Sequence, residues 1–185
     1  MAADIMSDAE NRMQRAIENL RKELGGIRTG RASPGLVDRL QVEYYGTPTA
    51  LNQIANVSTP EPRLLVIQPF ERNLISTIEK AILKSDLGLN PTNDGRVIRL
   101  QIPQLTAERR RDLVKVVKKR VEEGKVAIRN VRRDAHDHLR ALEREKSISE
   151  EESKRQQERL QKITDRMIVE VDQTGAKKEE EILEV

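Results

Sequence analysis

Apolar residues recur along this chain in two rhythms, and the rhythm changes twice. Ile5, Ala9, Met13, Ala16, Leu20, Leu24 and Ile27 follow one another at spacings of three and four, the narrow seam of an amphipathic helix. A second helix is predicted from about Thr106 to Glu145, with Thr106 as its N-cap after Pro103 and an apolar stripe of Val114, Val117, Val121, Ile128, Val131, Ala135, Leu139 and Leu142. A third opens on the capping-box pattern Ser149-Glu-Glu-Glu152 and continues through Leu160, Ile163, Met167, Val171, Thr174 and Ile182. No one of these seams is wide enough to bury itself, so the economical solution packs the three helices together. Gly124 and Gly175 each cost up to ~1 kcal/mol against Ala inside a helix. Gly124 lies close to the apolar stripe, which predicts a close helix approach there.

Between the first and second helices the period shortens. β-like runs at Leu36–Tyr45, Leu51–Val57, Arg63–Gln68 and Arg96–Ile102 are separated by turns, among them Tyr45-Gly-Thr-Pro48 and Asn93-Asp94-Gly95. One short amphipathic helix interrupts them, marked by Leu74, Ile75, Ile78, Ala81 and Ile82 and ending near Leu87-Gly88. All seven prolines and all three aromatic residues (Tyr44, Tyr45, Phe70) lie in this middle stretch. So sharp a change in composition marks one domain inserted into another. The predicted class is α+β: an elongated three-helix bundle, residues 1–30 with 106–185, carrying an inserted small β/α/β domain, residues 31–105. Thr29-Gly30-Arg31 and Pro103-Gln104-Leu105 join the two. Paired short linkers favour bending about one axis, so they form a predicted two-stranded hinge.

Charge changes the picture most on the second helix. Arg109–Arg133 holds eleven basic residues against three acids, a net of +8, whereas the whole chain is +3. At about 100° per residue, Lys118, Lys125, Arg129, Arg132, Arg133 and Arg140 share a sector roughly 40–140° to one side of Ile128, while Asp112, Glu123, Asp134 and Asp137 lie on the far side. A helix needing only solubility would mix its signs, so a sorted flank suits a polyanion lying along it. The bland alternative is a solvated face with internal pairing, and the acids placed for that are few: Glu122, Asp137 and Asp134. With aromatics at 2%, base stacking on Phe or Tyr platforms is excluded as the main mode, leaving recognition of RNA backbone and shape. Tyr44 and Tyr45 read as packing at a strand end. A helical scaffold for an acidic protein partner and a DNA-associated protein are the competing readings of the same stripe.

The chemistry of catalysis is missing from the pattern. His136 and His138, the only histidines, point about 200° apart on a helix and cannot share a metal. No serine has a histidine beside it, and no G-x-S-x-G elbow is present. Gly25-x-x-x-x-Gly30-Arg31-Ala32 has the outline of a phosphate loop, but Arg replaces the lysine, Ala replaces the hydroxyl, and the segment closes a helix instead of following a strand. With no cysteine there is no disulfide or thiolate site. No secretory signal is legible at the start, and no apolar run approaches the ~18 residues of a membrane span. The expectation is a soluble cytoplasmic monomer without cofactor, metal or enzyme activity.

Five blocks in register carry a resemblance: Ile27-Arg-Thr-Gly-Arg-Ala-Ser-Pro34 followed by Val42-Glu-Tyr-Tyr-Gly-Thr-Pro48, then Ser85-Asp-Leu-Gly-Leu-Asn-Pro91, Pro103-Gln-Leu-Thr-Ala-Glu-Arg-Arg-Arg111 and Ile128-Arg-Asn-Val-Arg-Arg-Asp-Ala135. In order and spacing they resemble the bacterial ribosome recycling factors over essentially the full length. The resemblance implies an L-shaped molecule with the outline of transfer RNA, working with elongation factor G to release ribosomes from mRNA and split them after termination. It implies that the bundle lies on large-subunit rRNA, with Arg129, Arg132 and Arg133 contributing heavily, and that Gly30 and Arg31 lie in the hinge. The candidate rRNA contacts are therefore Arg110, Lys118, Lys125, Arg129, Arg132 and Arg133. Arg28 and Arg31 either reach RNA beside the hinge or merely decorate it.

Overall fold

The computed structural model describes residues 1–184 and divides the chain into two compact units. One comprises Met1–Ile27 with the segment from Arg111 onward; the other is Arg28–Arg110. Thr29–Arg31 and Pro103–Leu105 both group with the second unit.

The first unit is built from helices α1 (Ala2–Gly25), α3 (Ala107–Arg144, from Arg111) and α4 (Glu150–Leu183). Its core takes Met6, Ala9, Met13, Ile17, Leu20 and Leu24 from α1, with Leu113, Val117, Ile128, Val131, Ala135 and Leu139 from α3. From α4 it takes Leu160, Ile163, Met167, Val171 and Ile182. The α1 seam is thus shifted from the expected one: Met6 and Ile17 are buried where Ile5 and Ala16 are only half-buried. Ile27 lies beyond the helix, which Gly25 and Gly26 bring to an end. On α3 the structure buries Leu113 as well, whereas Val114, Val121 and Leu142 of the expected stripe are only half-buried.

Both predicted caps form. Thr106 Oγ1 accepts the Arg109 N–H at 3.1 Å, and Ser149 Oγ accepts the Glu152 N–H at 3.0 Å. Between α3 and α4 the chain turns through Lys146 at φ 58°; the Ser147 N–H reaches the Leu142 carbonyl at 2.9 Å and the Lys146 N–H reaches Glu143 at 3.0 Å. This is a Schellman closure with a side chain at the left-handed position that glycine prefers. Lys146→Gly should therefore raise stability by up to about 1 kcal/mol, read as a melting temperature higher by a few degrees.

α3 runs unbroken through Gly124, with α1 and α4 in contact range there, but the tightest approach is at Gly175. A Cβ on Gly124 would meet Leu20 Cδ2 at 3.6 Å and Val171 Cγ1 at 3.7 Å, ordinary contact distances. A Cβ on buried Gly175 would overlap Val121 Cγ2 of α3.

The second unit contains a hairpin of β1 (Gln41–Tyr44) and β2 (Thr47–Ala50), a sheet of β3 (Ala55–Glu61), β4 (Leu64–Pro69), β5 (Pro91–Asn93) and β6 (Ile98–Gln101), and helix α2 (Ile75–Lys84). The four-stranded sheet is antiparallel in the order β3-β4-β6-β5. α2 touches both β1 and β5, and one core joins Val42, Leu65, Ile67, Ile78, Ile82, Ile98 and Leu100. Two expected strands are shorter than predicted. Pro34–Leu36 and Leu51–Gln53 each form one turn of 3-10 helix, leaving strands only at Gln41–Tyr44 and from Ala55. Tyr44 packs on this core as expected, whereas Tyr45 sits in the hairpin turn, 73% exposed.

The Asn93-Asp94-Gly95 turn joins β5 to β6. The Val97 and Arg96 N–H groups each donate to Asp94 Oδ1 at 2.9 Å, and Arg99 Nη1 lies 3.0 Å from Oδ2. These donors, the backbone ones first, lower the Asp94 pKa to about 2. A carboxyl depressed in the folded state contributes stability that is complete above its unfolded value and lost as pH falls through the folded one. Wild type should therefore unfold at higher urea than Asp94→Asn at about pH 5, and the gap should close as pH falls from about 4 towards 2.

Candidate nucleic-acid interface

The cationic flank is a property of α3 alone, because a continuous helix turns sequence spacing directly into angular position. Lys118, Arg129, Arg133 and Arg140 are exposed. Two further exposed cations, Arg111 and Lys115, fall in the same sector, at roughly 100° and 140° from Ile128. The same helical arithmetic that picked out the others would have found them. From Arg111 to Arg140 the flank runs about 44 Å.

Internal pairing touches only part of it. Among the described residues Arg111, Lys115, Lys118, Arg133 and Arg140 have no ion-pair partner. Arg129, with its side chain half exposed, stands 3.5 Å from Glu122, a loose surface pair that holds it weakly. Lys125 is different: its Nζ lies 2.5 Å from Asp172 Oδ1 of α4 and only 20% of its side chain is exposed. Arg132 is half-buried, its Nη1 donating to Gln161 Oε1 at 2.8 Å, while Gln161 Nε2 donates to Asp165 Oδ1 at 2.8 Å. That second bond turns the Gln161 carbonyl oxygen towards the guanidinium.

The acids expected to quench the flank mostly serve elsewhere. Asp134 pairs with Arg12 of α1 at 3.2 Å, and Asp137 has only His136, at 3.9 Å. Asp172 and Gln161 had no signal in the sequence, since which α4 residue meets which α3 residue depends on the register between helices.

The three remaining candidates lie in the second unit. Arg110 falls in line with Ile128 by helical phase, not on the flank, and its Nε is shielded from solvent without a hydrogen-bond acceptor. Arg28 Nη2 donates to the Asp86 carbonyl at 3.0 Å, tying it to the loop after α2. Arg31 is exposed. Beside it Gly30 adopts φ 78°, and a Cβ there would come within 3.3 Å of Leu105 Cγ, so the two connecting strands run against each other. Among the described residues no cluster of three or more His, Cys, Asp or Glu is placed to hold a metal ion, and no helix is long and apolar enough to cross a membrane.

Fold and surface together define a two-unit α+β protein, a helical unit interrupted by a small sheet unit, that displays its positive charge along one helix. The family model for ribosome recycling factor matches residues 20–183, and the chain belongs to that family. It is 59% identical to the ribosome-recycling factor of Chloroflexus aurantiacus and 57% identical to that of Symbiobacterium thermophilum, each over the full length of both chains. A solution structure of a ribosome recycling factor matches with a TM-score of 0.82 at 45% identity, covering 100% of this chain and 98% of that one. A Thermus thermophilus ribosome recycling factor, described with Escherichia coli elongation factor G bound to the E. coli post-termination complex, matches over the whole of both chains with a TM-score of 0.71 at 49% identity.

Proposed function

We propose that this protein works with elongation factor G to release ribosomes from mRNA and split them after termination, docking on large-subunit rRNA through the α3 flank. One observation carries the docking: a row of exposed cations whose charge is not cancelled from within. Arg111, Lys115, Lys118, Arg129, Arg133 and Arg140 meet phosphates directly, the arginines in bidentate fashion. Arg132 exchanges its neutral Gln161 partner for a phosphate at little electrostatic cost, whereas Lys125, already paired with Asp172, adds little to the field. Arg28, Arg31 and Arg110 extend the contact at the linkers.

The linkers Thr29–Arg31 and Pro103–Leu105 act as the hinge. With Gly30 set against Leu105, the two strands bend as a pair and not independently. The bundle holds on by charge while the small domain is pushed by the motor protein, so the factor acts as a cytoplasmic, monomeric lever with neither cofactor nor catalysis of its own. Sedimentation of post-termination ribosomes with this protein, elongation factor G and GTP tests the reading. Separation into subunits that requires all three supports it; intact ribosomes with all three present overturn it.

A further inference from the structure

The second unit has four strand edges, and three of them are blunted. On β2, Pro48 sits opposite Glu43 with no N–H to offer. On β3 the register shifts between Ser58 and Glu61, around Pro60. β5 is three residues long and begins at Pro91. Proline, bulges and short strands are the usual devices against unwanted strand pairing. β1, four residues long with α2 packed beside it, carries neither proline nor bulge.

The bare edge also has free backbone groups in a defined direction. Tyr45 and Gly46 both have positive φ (50° and 81°), the two-residue turn that makes Tyr44 and Thr47 a hydrogen-bonded pair. Pairing alternates along an antiparallel ladder, so Val42 bonds across to Thr49 while the N–H and C=O of Gln41 and Glu43 point away from β2. Gln41 and Glu43 also line a groove of about 410 Å³ whose other wall is formed by Thr77, Lys80, Ala81 and Lys84 of α2. Lys80 and Lys84 are exposed and have no ion pair among the described residues. At four residues apart on a helix their Cβ atoms stand about 6 Å from each other. Alternate side chains of an extended strand are spaced about 6.6 Å, nearly the same.

We propose that the open edge of β1 takes up an extended acidic segment of a partner protein as an added strand, with two alternate carboxylates of that segment meeting Lys80 and Lys84. Main-chain bonds to Gln41 and Glu43 supply the affinity and the paired lysines the selectivity, as in other strand-addition interfaces. The acid-x-acid spacing is the recognition element; Glu43 disfavours a third acid on its own side.

The test uses the full-length chain, 15N-labelled, and the peptide Ac-Thr-Glu-Val-Glu-Val-Thr-NH2. On binding, the Gln41 and Glu43 amides should exchange with solvent at least about tenfold more slowly, with shift changes confined to β1 and α2. The same peptide N-methylated at alternate residues, and the Lys80→Glu/Lys84→Glu variant, should each bind at least about tenfold more weakly. Both lysines are exposed, so thermal unfolding of the variant should match wild type. Unchanged exchange at these two amides under saturating peptide overturns the proposal, as does equal binding of the N-methylated peptide or by the charge-reversed variant. So does slowing that grows with protein concentration in the absence of peptide, which would assign the edge to a second copy of this chain.

Discussion

Combining Arg129→Glu with Arg133→Glu is expected to weaken ribosome binding by about 100-fold or more while leaving the melting temperature within about a degree of wild type. Each charge-assisted hydrogen bond to phosphate contributes about 1.5–3 kcal/mol, so losing two costs at least about 3 kcal/mol before repulsion by the new carboxylates is added. Stability is spared because both side chains are exposed, and the only bond broken is the 3.5 Å surface contact of Arg129 with Glu122. Neutral Arg129→Ala/Arg133→Ala should also flatten the slope of log affinity against log salt by about 2, one for each lost phosphate contact. Filter binding or sedimentation across a salt series measures both effects. Binding that is unchanged, or lost together with the fold, removes the α3 flank as the docking surface. Arg132→Ala is the less clean probe, because it also breaks the hydrogen bond to Gln161 that ties α3 to α4.

Gly175→Ala is expected to destabilise the helical unit by about 1–3 kcal/mol, partly offset by the helix propensity of alanine, and Gly175→Val by more. The Cβ of either residue overlaps Val121 Cγ2, and a β-branched side chain on a helix has few other rotamers to move into. Gly124→Ala runs the other way. Its Cβ meets Leu20 and Val171 at contact distance, so the helix gains up to about 1 kcal/mol of propensity with no clash. Urea unfolding midpoints of the two variants should therefore move in opposite directions from wild type. A Gly175→Ala midpoint at or above that of wild type would mean that Val121 gives way to the added Cβ at no net cost.

Local chemistry explains why much of this could be read directly from the chain. Thr106 and Ser149 cap their helices because a short hydroxyl before an amphipathic run satisfies backbone N–H groups within three residues. The cationic flank of α3 was visible for the same reason: on one uninterrupted helix the angle between two side chains follows from their separation alone. The inserted sheet unit announced itself through its prolines and shortened period. Within it, the runs read as strands from Leu36 and from Leu51 each begin in a single 3-10 turn, Pro34–Leu36 and Leu51–Gln53. Such short windows do not separate the two outcomes.

Contacts between elements obey a different rule. Asp172 neutralises Lys125, Gln161 takes hold of Arg132, and Val121 lies over Gly175, although 47, 29 and 54 residues respectively separate the partners along the chain. Periodicity tells each helix which face to bury, but it leaves free the sliding and rotation by which neighbouring helices settle against one another. Packing decides that register, and with it which cations stay open to solvent and which are already spoken for.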